Sequence, residues 1–256
     1  MLFPISDDDR EVTTTAYVTY ILLAINIAAF IYQNMNPEFT SGWSMIPKEI
    51  TTGVDLVEPQ LIEVPGEGVV QIPMAPGPPI IFLTLLTSMF MHGGFGHIGG
   101  NMLYLWIFGD NVEHRFGHVL FLVFYLVSGL VGSLAQIAVN PSGIIPNLGA
   151  SGAIAGVMGA YLVLFPRNKV NAVFFYTIIS VPAIFVLGMW GAMQFMSSVG
   201  SIMATTQSGG VAYMAHVGGF VAGLATAFFL KNKLKEEPDS VLRRQYQRDP
   251  CAKRIW

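Results

Sequence analysis

The sequence predicts an all-α integral membrane protein: a bundle of six transmembrane helices with a long extracytoplasmic first loop. Three observations predict it. The 256 residues are 53% hydrophobic and 11% charged, whereas a soluble domain carries roughly 25% charged residues, so lipid is the expected solvent. Six apolar runs approach the roughly 20 residues that a spanning helix requires. The basic residues fall almost entirely on one side of the six crossings those runs define.

The runs cover residues 16–33, 95–109, 116–139, 148–165, 170–195 and 211–230. The second is the shortest. The apolar stretch before it, 80–91, is cut off by His92-Gly93-Gly94 and is too short to span, so an interfacial or re-entrant helix is expected there. Between the first and second runs lies the long loop, 34–80, whose "VPGEGVVQIPMAPGPP" reads as irregular or partly extended. The chain divides into an N-terminal segment 1–15, a membrane domain 16–230 and a charged tail 231–256. The acidic start, "MLFPISDDDREV", lacks the basic and apolar regions of a removable signal peptide.

Orientation follows from Lys and Arg. With the N-terminus cytoplasmic, six crossings return the C-terminus to the same side. Arg10, Arg115, Arg167, Lys169 and the eight basic residues of the tail then lie inside, which is 12 of 13; only Lys48 lies outside. A multi-pass protein of a cell membrane with both termini cytoplasmic is expected. A net charge of −3 argues against nucleic acid as a partner. The single Cys251 excludes an intrachain disulfide and is not placed for prenylation.

In this topology the second, fourth and sixth runs all descend from the outer surface. His97 and Asn101 lie one turn apart near the start of the second, Ser151 near the start of the fourth, and His216 about five residues into the sixth. At 1.5 Å per residue all four share a layer roughly 5–10 Å below the outer surface. Ionisable groups at such depth are rare and usually functional. Small residues indicate which helices touch: Gly152 and Gly156 in the fourth run, Ala215, Gly219 and Gly223 in the sixth. Such four-residue ridges let backbones approach closely in lipid. Packing the two together brings Ser151 near His216, the minimal pairing of nucleophile and general base. Taken singly, each of these residues also has a structural role available: helix packing for Ser151, cross-bundle hydrogen bonding for His216, a local pair for His97 and Asn101.

The motifs together resemble the rhomboid intramembrane serine proteases. "LGASGAIAG" is similar to the family's G-x-S-G motif with Ser151 at the serine, and "AHVGGFVAG" to A-H-x-x-G with His216 at the catalytic histidine. "HGGFGHIGGN" places His97 and Asn101 in H-x-x-x-N, with His92 at a further frequent histidine, and "VEHRFG" places Glu113, Arg115 and Gly117 in E-x-R-x-G. The resemblance implies a serine endopeptidase that cuts transmembrane protein substrates within the lipid bilayer, in a form like the bacterial plasma-membrane members. It implies a Ser151–His216 dyad, an oxyanion site formed by Asn101, His97 and the Ser151 backbone, and no cofactor or metal. Two positions depart from the pattern. Leu83-Thr84 stands where many relatives have Trp-Arg. Ala155 stands where some have a tyrosine under the histidine, so either another side chain orients His216 or its ring is less restrained. No acidic residue falls in the outer half of the runs, which favours a dyad over a triad.

The five glycines between 93 and 100 leave little bulk beside His97, consistent with a water-filled cavity open to the outside, or with close packing alone. His114 and His118 read as solvated interface residues. Two other classes of function compete: a rhomboid-like membrane binding protein without catalysis, whose relatives typically lack the serine or histidine, and a small transporter using the histidines as a proton relay.

Overall fold

A computed structural model describes residues 3–8, 12, 14–64, 68–203 and 211–234. The first helix, α1 (Tyr17–Met35), ends at Asn36 and is followed at once by α2 (Pro37–Trp43), whose leading proline fits a helix start. Next comes α3 (Pro47–Thr52), again opened by proline and closed by Gly53 at φ +70°, the left-handed position that favours glycine at a helix end. The first loop begins with these two short helices, and its Pro- and Gly-rich part is partly extended as expected, in an antiparallel hairpin, β2 (Gln60–Val64) and β3 (Gly68–Ile72).

The apolar stretch before the His92-Gly93-Gly94 break forms a short α4 (Thr84–Thr87) between two 3-10 turns, together Ile81–Phe90. It meets α5 (Phe95–Phe116) at 77°. Gly117, at φ +76°, turns the chain directly into α6 (His118–Val139). Then α7 (Ser151–Leu164) runs for 14 residues, and every residue from Gly152 to Tyr161 is buried. A helix apolar on all sides must be enclosed by others, and α7 contacts α5, α6, α8 (Ala183–Met203) and α9 (Tyr213–Leu230).

The fifth run needs correction. Residues 170–182 are not helical. They lie in β4 (Lys169–Phe174) and β5 (Thr177–Pro182), an antiparallel hairpin, and the helix starts only at Ala183. Here β4 also pairs with β1 (Phe3–Ser6) from the N-terminal segment, giving the sheet order β1-β4-β5. Mean hydropathy cannot distinguish a β-branched strand from a helix, and the Val-Ile content of this run suits either. Pro182 is the last residue of β5, directly before the helix.

Among the described residues, four helices are long and apolar enough to cross a membrane, five if Ile81–Phe90 and Phe95–Phe116 count as one bent span, while α7 is shorter. The molecule is thus mostly helical, with two small sheets absent from the all-α expectation. The charged tail from residue 235 onward lies outside the described residues.

Candidate active site

Ser151 is the first residue of α7. Two residues before it, Gly149 adopts φ +134°, and its N–H donates to the Ser88 carbonyl (2.8 Å). A Cβ on Gly149 would sit 2.9 Å from the His97 ring, so the backbone in front of Ser151 passes directly against that imidazole. The approach to the serine is held from the far side as well. Met45 and Asn147 exchange both backbone hydrogen bonds (3.0 and 2.8 Å), and the Lys48 N–H donates to the Gly143 carbonyl. The first loop is stapled to the connection that delivers Ser151.

His216 lies in the first turn of α9. Its Nε2 is 2.7 Å from Ser151 Oγ. What brings the two together is the backbone contact between α7 and α9. A Cβ on Gly219 would overlap the Gly152 carbonyl, and one on Gly223 the Gly156 carbonyl. With no side chains between them the helices close to contact distance.

The other side of the imidazole is occupied by α8. His216 Nδ1 lies 2.8 Å from Gln194 Oε1, and the Trp190 ring lies 6.0 Å from the His216 ring at 34°. Neither residue is singled out by the sequence reading above. The signal was available: Gln194 is a strongly polar side chain inside an apolar run, and such residues in membrane helices warrant a named partner.

His97 and Asn101 both sit in the first two turns of α5. The Gly93 N–H donates to His97 Nδ1 (3.2 Å), so a neutral ring carries its proton on Nε2, the nitrogen that faces Gly149. Asn101 is buried, and among the described residues its Nδ2 finds no acceptor. A buried amide without a partner is costly, which makes it a ready donor. The His92 ring packs edge-on to His97 at 5.2 Å. Its backbone is fixed by Gln33, which donates to the His92 carbonyl (2.6 Å) and accepts from its N–H (2.9 Å). A cavity of about 30 Å³ touches Ser151, lined also by Ser88, Asn147, Gly152 and Ala215; it has room for ordered water. On the α5 side, Cβ atoms added to Gly94, Gly96, Gly99 or Gly100 would meet none of the described residues within 4 Å, so open space adjoins this end of the helix.

At the opposite end of α5 the buried Glu113 carboxylate accepts from the Val18 N–H (2.9 Å), the Thr19 N–H (2.7 Å) and Thr19 Oγ1 (2.7 Å). The two N–H groups are first-turn donors of α1, which a helix leaves unpaired. His118 Nδ1 lies 2.6 Å from the same carboxylate, and His114 Nδ1 2.7 Å from Thr14 Oγ1. His114 is buried and tied into the structure, whereas His118 keeps an exposed ring beside the carboxylate. Among the described residues no group of three or more His, Cys, Asp or Glu is placed to hold a metal ion.

The chain matches the Rhomboid domain family over residues 81–233. It is 32% identical over 163 residues to Rhomboid protein 1, mitochondrial, of Saccharomyces cerevisiae, covering 60% of this chain and 44% of that protein. It is 41% identical over 85 residues to Rhomboid protease GluP of Bacillus subtilis, covering 33% and 16%, and 32% identical over 146 residues to RHOMBOID-like protein 5 of Arabidopsis thaliana, covering 57% and 43%. The chain spans less than half the length of each of these relatives.

Proposed function

The chain belongs to the rhomboid family, and we propose that it is an intramembrane serine endopeptidase that uses Ser151 and His216 to hydrolyse peptide bonds in transmembrane proteins. The observation that carries this is the 2.7 Å approach of His216 Nε2 to Ser151 Oγ. It lies within the reach required of a nucleophile and its base.

In the proposed reaction His216 Nε2 takes the Ser151 hydroxyl proton as Oγ attacks the substrate carbonyl. The tetrahedral intermediate collapses when the imidazolium returns that proton to the leaving amine. Water then enters, His216 deprotonates it, and the acyl-enzyme is hydrolysed. Three donors serve the oxyanion: the Ser151 N–H, His97 Nε2 and Asn101 Nδ2. The unpartnered state of Asn101 Nδ2 supports its part, since a donor that matters only in the transition state gains nothing from a resident acceptor. The open space beside the α5 glycines and the cavity at Ser151 supply a route for water.

We further propose six crossings with both termini cytoplasmic. The short α7 fits this scheme because it is enclosed by other helices and need not match the bilayer on its own. The pairing of β1 with β4 supports placing the N-terminal segment and the 165–183 connection on one side. The substrate is a transmembrane helix that unwinds near the outer surface, since an intact helix hides its carbonyls in backbone hydrogen bonds.

The test is covalent labelling of the purified protein with a serine-directed phosphonate, alongside cleavage of a transmembrane test substrate. Wild type is expected to label and cut. Ser151→Ala is expected to do neither, and His216→Ala to lose both, because an unactivated serine is a weak nucleophile. Labelling that persists in Ser151→Ala would overturn the assignment.

A further inference from the structure

Resting on the dyad proposed above, we infer that Gln194 is the positioning residue of the site: its side-chain carbonyl accepts the Nδ1–H of His216 and thereby leaves Nε2 as the base toward Ser151.

A neutral imidazole carries one proton, and whichever nitrogen holds it cannot act as base. Nε2 is the nitrogen at 2.7 Å from Ser151 Oγ, so catalysis requires the proton on Nδ1. That N–H lies in the partly buried contact between α8 and α9. Without an acceptor the Nδ1–H tautomer would be disfavoured, because a buried donor left unpaired costs more than the bond it could have made. Gln194 Oε1, 2.8 Å away, is that acceptor. The opposite orientation of the amide would present an N–H to Nδ1, force the proton onto Nε2 and leave Ser151 without a base.

Trp190 acts with it. Residues four apart on a helix share a face, so Trp190 and Gln194 address the same ring from consecutive turns of α8. The indole lies against the ring at 6.0 Å and is itself backed by Phe220 at 5.8 Å. The imidazole is thereby restrained at both nitrogens and on one face. A half-turn flip of the ring would forfeit both hydrogen bonds. This is how the structure meets the absence of an aromatic side chain at Ala155: the orienting groups come from α8, not from α7.

The contribution belongs to the transition state more than to binding. When Nε2 takes the serine proton the ring becomes a cation with two N–H donors, and the Gln194 carbonyl stabilises the second. An amide oxygen does this more weakly than a carboxylate, since hydrogen bonds between a cation and an anion are the stronger kind.

The experiment compares wild type, Gln194→Met and Gln194→Glu for kcat, KM and the pH dependence of kcat/KM on a transmembrane test substrate, with phosphonate labelling of Ser151 followed over the same pH range. Methionine keeps the length and removes the acceptor. Gln194→Met is expected to lower kcat by roughly 10- to 100-fold, a part of what acid–base catalysis supplies, with KM within about twofold. Gln194→Glu keeps an acceptor and is expected to recover most of that loss. It should also move the acid limb of the profile to higher pH, because a carboxylate holds the imidazolium proton more tightly. Gln194→Met with wild-type kcat and an unmoved profile would overturn the inference. So would a Gln194→Glu enzyme as slow as Gln194→Met whose acid limb has not moved. Should Gln194→Met fail to fold, the shift in Gln194→Glu decides alone. If wild type neither labels nor cuts, it is the dyad itself that fails; if wild type labels normally and the variants match it, only the role of Gln194 is lost.

Discussion

Gly219 of α9 stands so close to the carbonyl of Gly152 in α7 that a single added carbon would overlap the oxygen, and one turn later Gly223 stands in the same relation to Gly156. This contact sets the separation of the two helices that carry His216 and Ser151. Neighbouring backbones cannot yield as a flexible side chain can. Gly219→Ala and Gly223→Ala are therefore expected to destabilise the protein by about 1–3 kcal/mol, the usual cost of overpacking, and to slow cleavage by lengthening the Ser151–His216 contact. Thermal unfolding in detergent and phosphonate labelling rates check both effects; variants as stable and as reactive as wild type would show that the helices can part without consequence.

The proposed oxyanion donors make a kinetic prediction. Asn101→Ala is expected to reduce kcat by on the order of 10²–10³, the loss seen when one such donor is removed from a soluble serine protease, while KM changes little. His97→Ala is expected to act in the same direction. A rise in KM at constant kcat would assign these residues to substrate positioning instead.

Glu113 makes a prediction about stability away from the site. Its carboxylate satisfies three donors of α1, and Glu113→Ala would leave two backbone N–H groups without a partner. An unsatisfied buried donor costs about 1–3 kcal/mol, so a marked fall in the unfolding temperature is expected. Thr19→Val, which removes only the hydroxyl, should have the smaller effect. Equal stability of Glu113→Ala and wild type would mean that the α1 end finds other acceptors.

Glu49 in the first loop should make stability depend on pH. It is buried, its Oε1 accepts from the Leu56 N–H (2.9 Å), and among the described residues its Oε2 has no partner. Burial foremost, with Asp55 adding to it against the Leu56 bond, pushes the carboxyl up from 4.5 to about 7. A raised value means that the folded chain holds this proton more tightly than the unfolded chain. The stabilisation is thus complete below about pH 4.5 and is lost as pH rises through about 7. Glu49→Gln should flatten that part of the profile and unfold at a higher temperature than wild type at pH 8. Parallel profiles for the two proteins would refute it.

Topology can be read with a membrane-impermeant thiol reagent on intact cells, in a Cys251→Ser background. Leu61→Cys in the exposed β2–β3 hairpin is expected to react, and Tyr176→Cys at the fully exposed turn between β4 and β5 is expected not to. The reverse result would invert the orientation proposed from the basic residues.

The features legible in the sequence are those governed by short-range periodicity. The glycine and alanine ridges of α7 and α9 repeat every four residues, and a repeat of that kind marks a helix face wherever the helix ends up, so the meeting of Ser151 with His216 could be anticipated. The break at His92-Gly93-Gly94 was equally visible, because glycine interrupts a helix locally. The sheet β1-β4-β5 was not. Its register joins Phe3 to Val173, and strand pairing across so many residues leaves no local periodic trace, while the hydropathy of residues 170–182 suits a helix as well as a strand. Nor could the sequence show that Gln194 and Trp190 face His216. Their four-residue spacing puts them on one face of α8, but the direction of that face depends on how α8 is rotated against α9. Only the packing of complete side chains determines that rotation, and the same packing turned a polar residue in an apolar run into the hydrogen-bond partner of the imidazole.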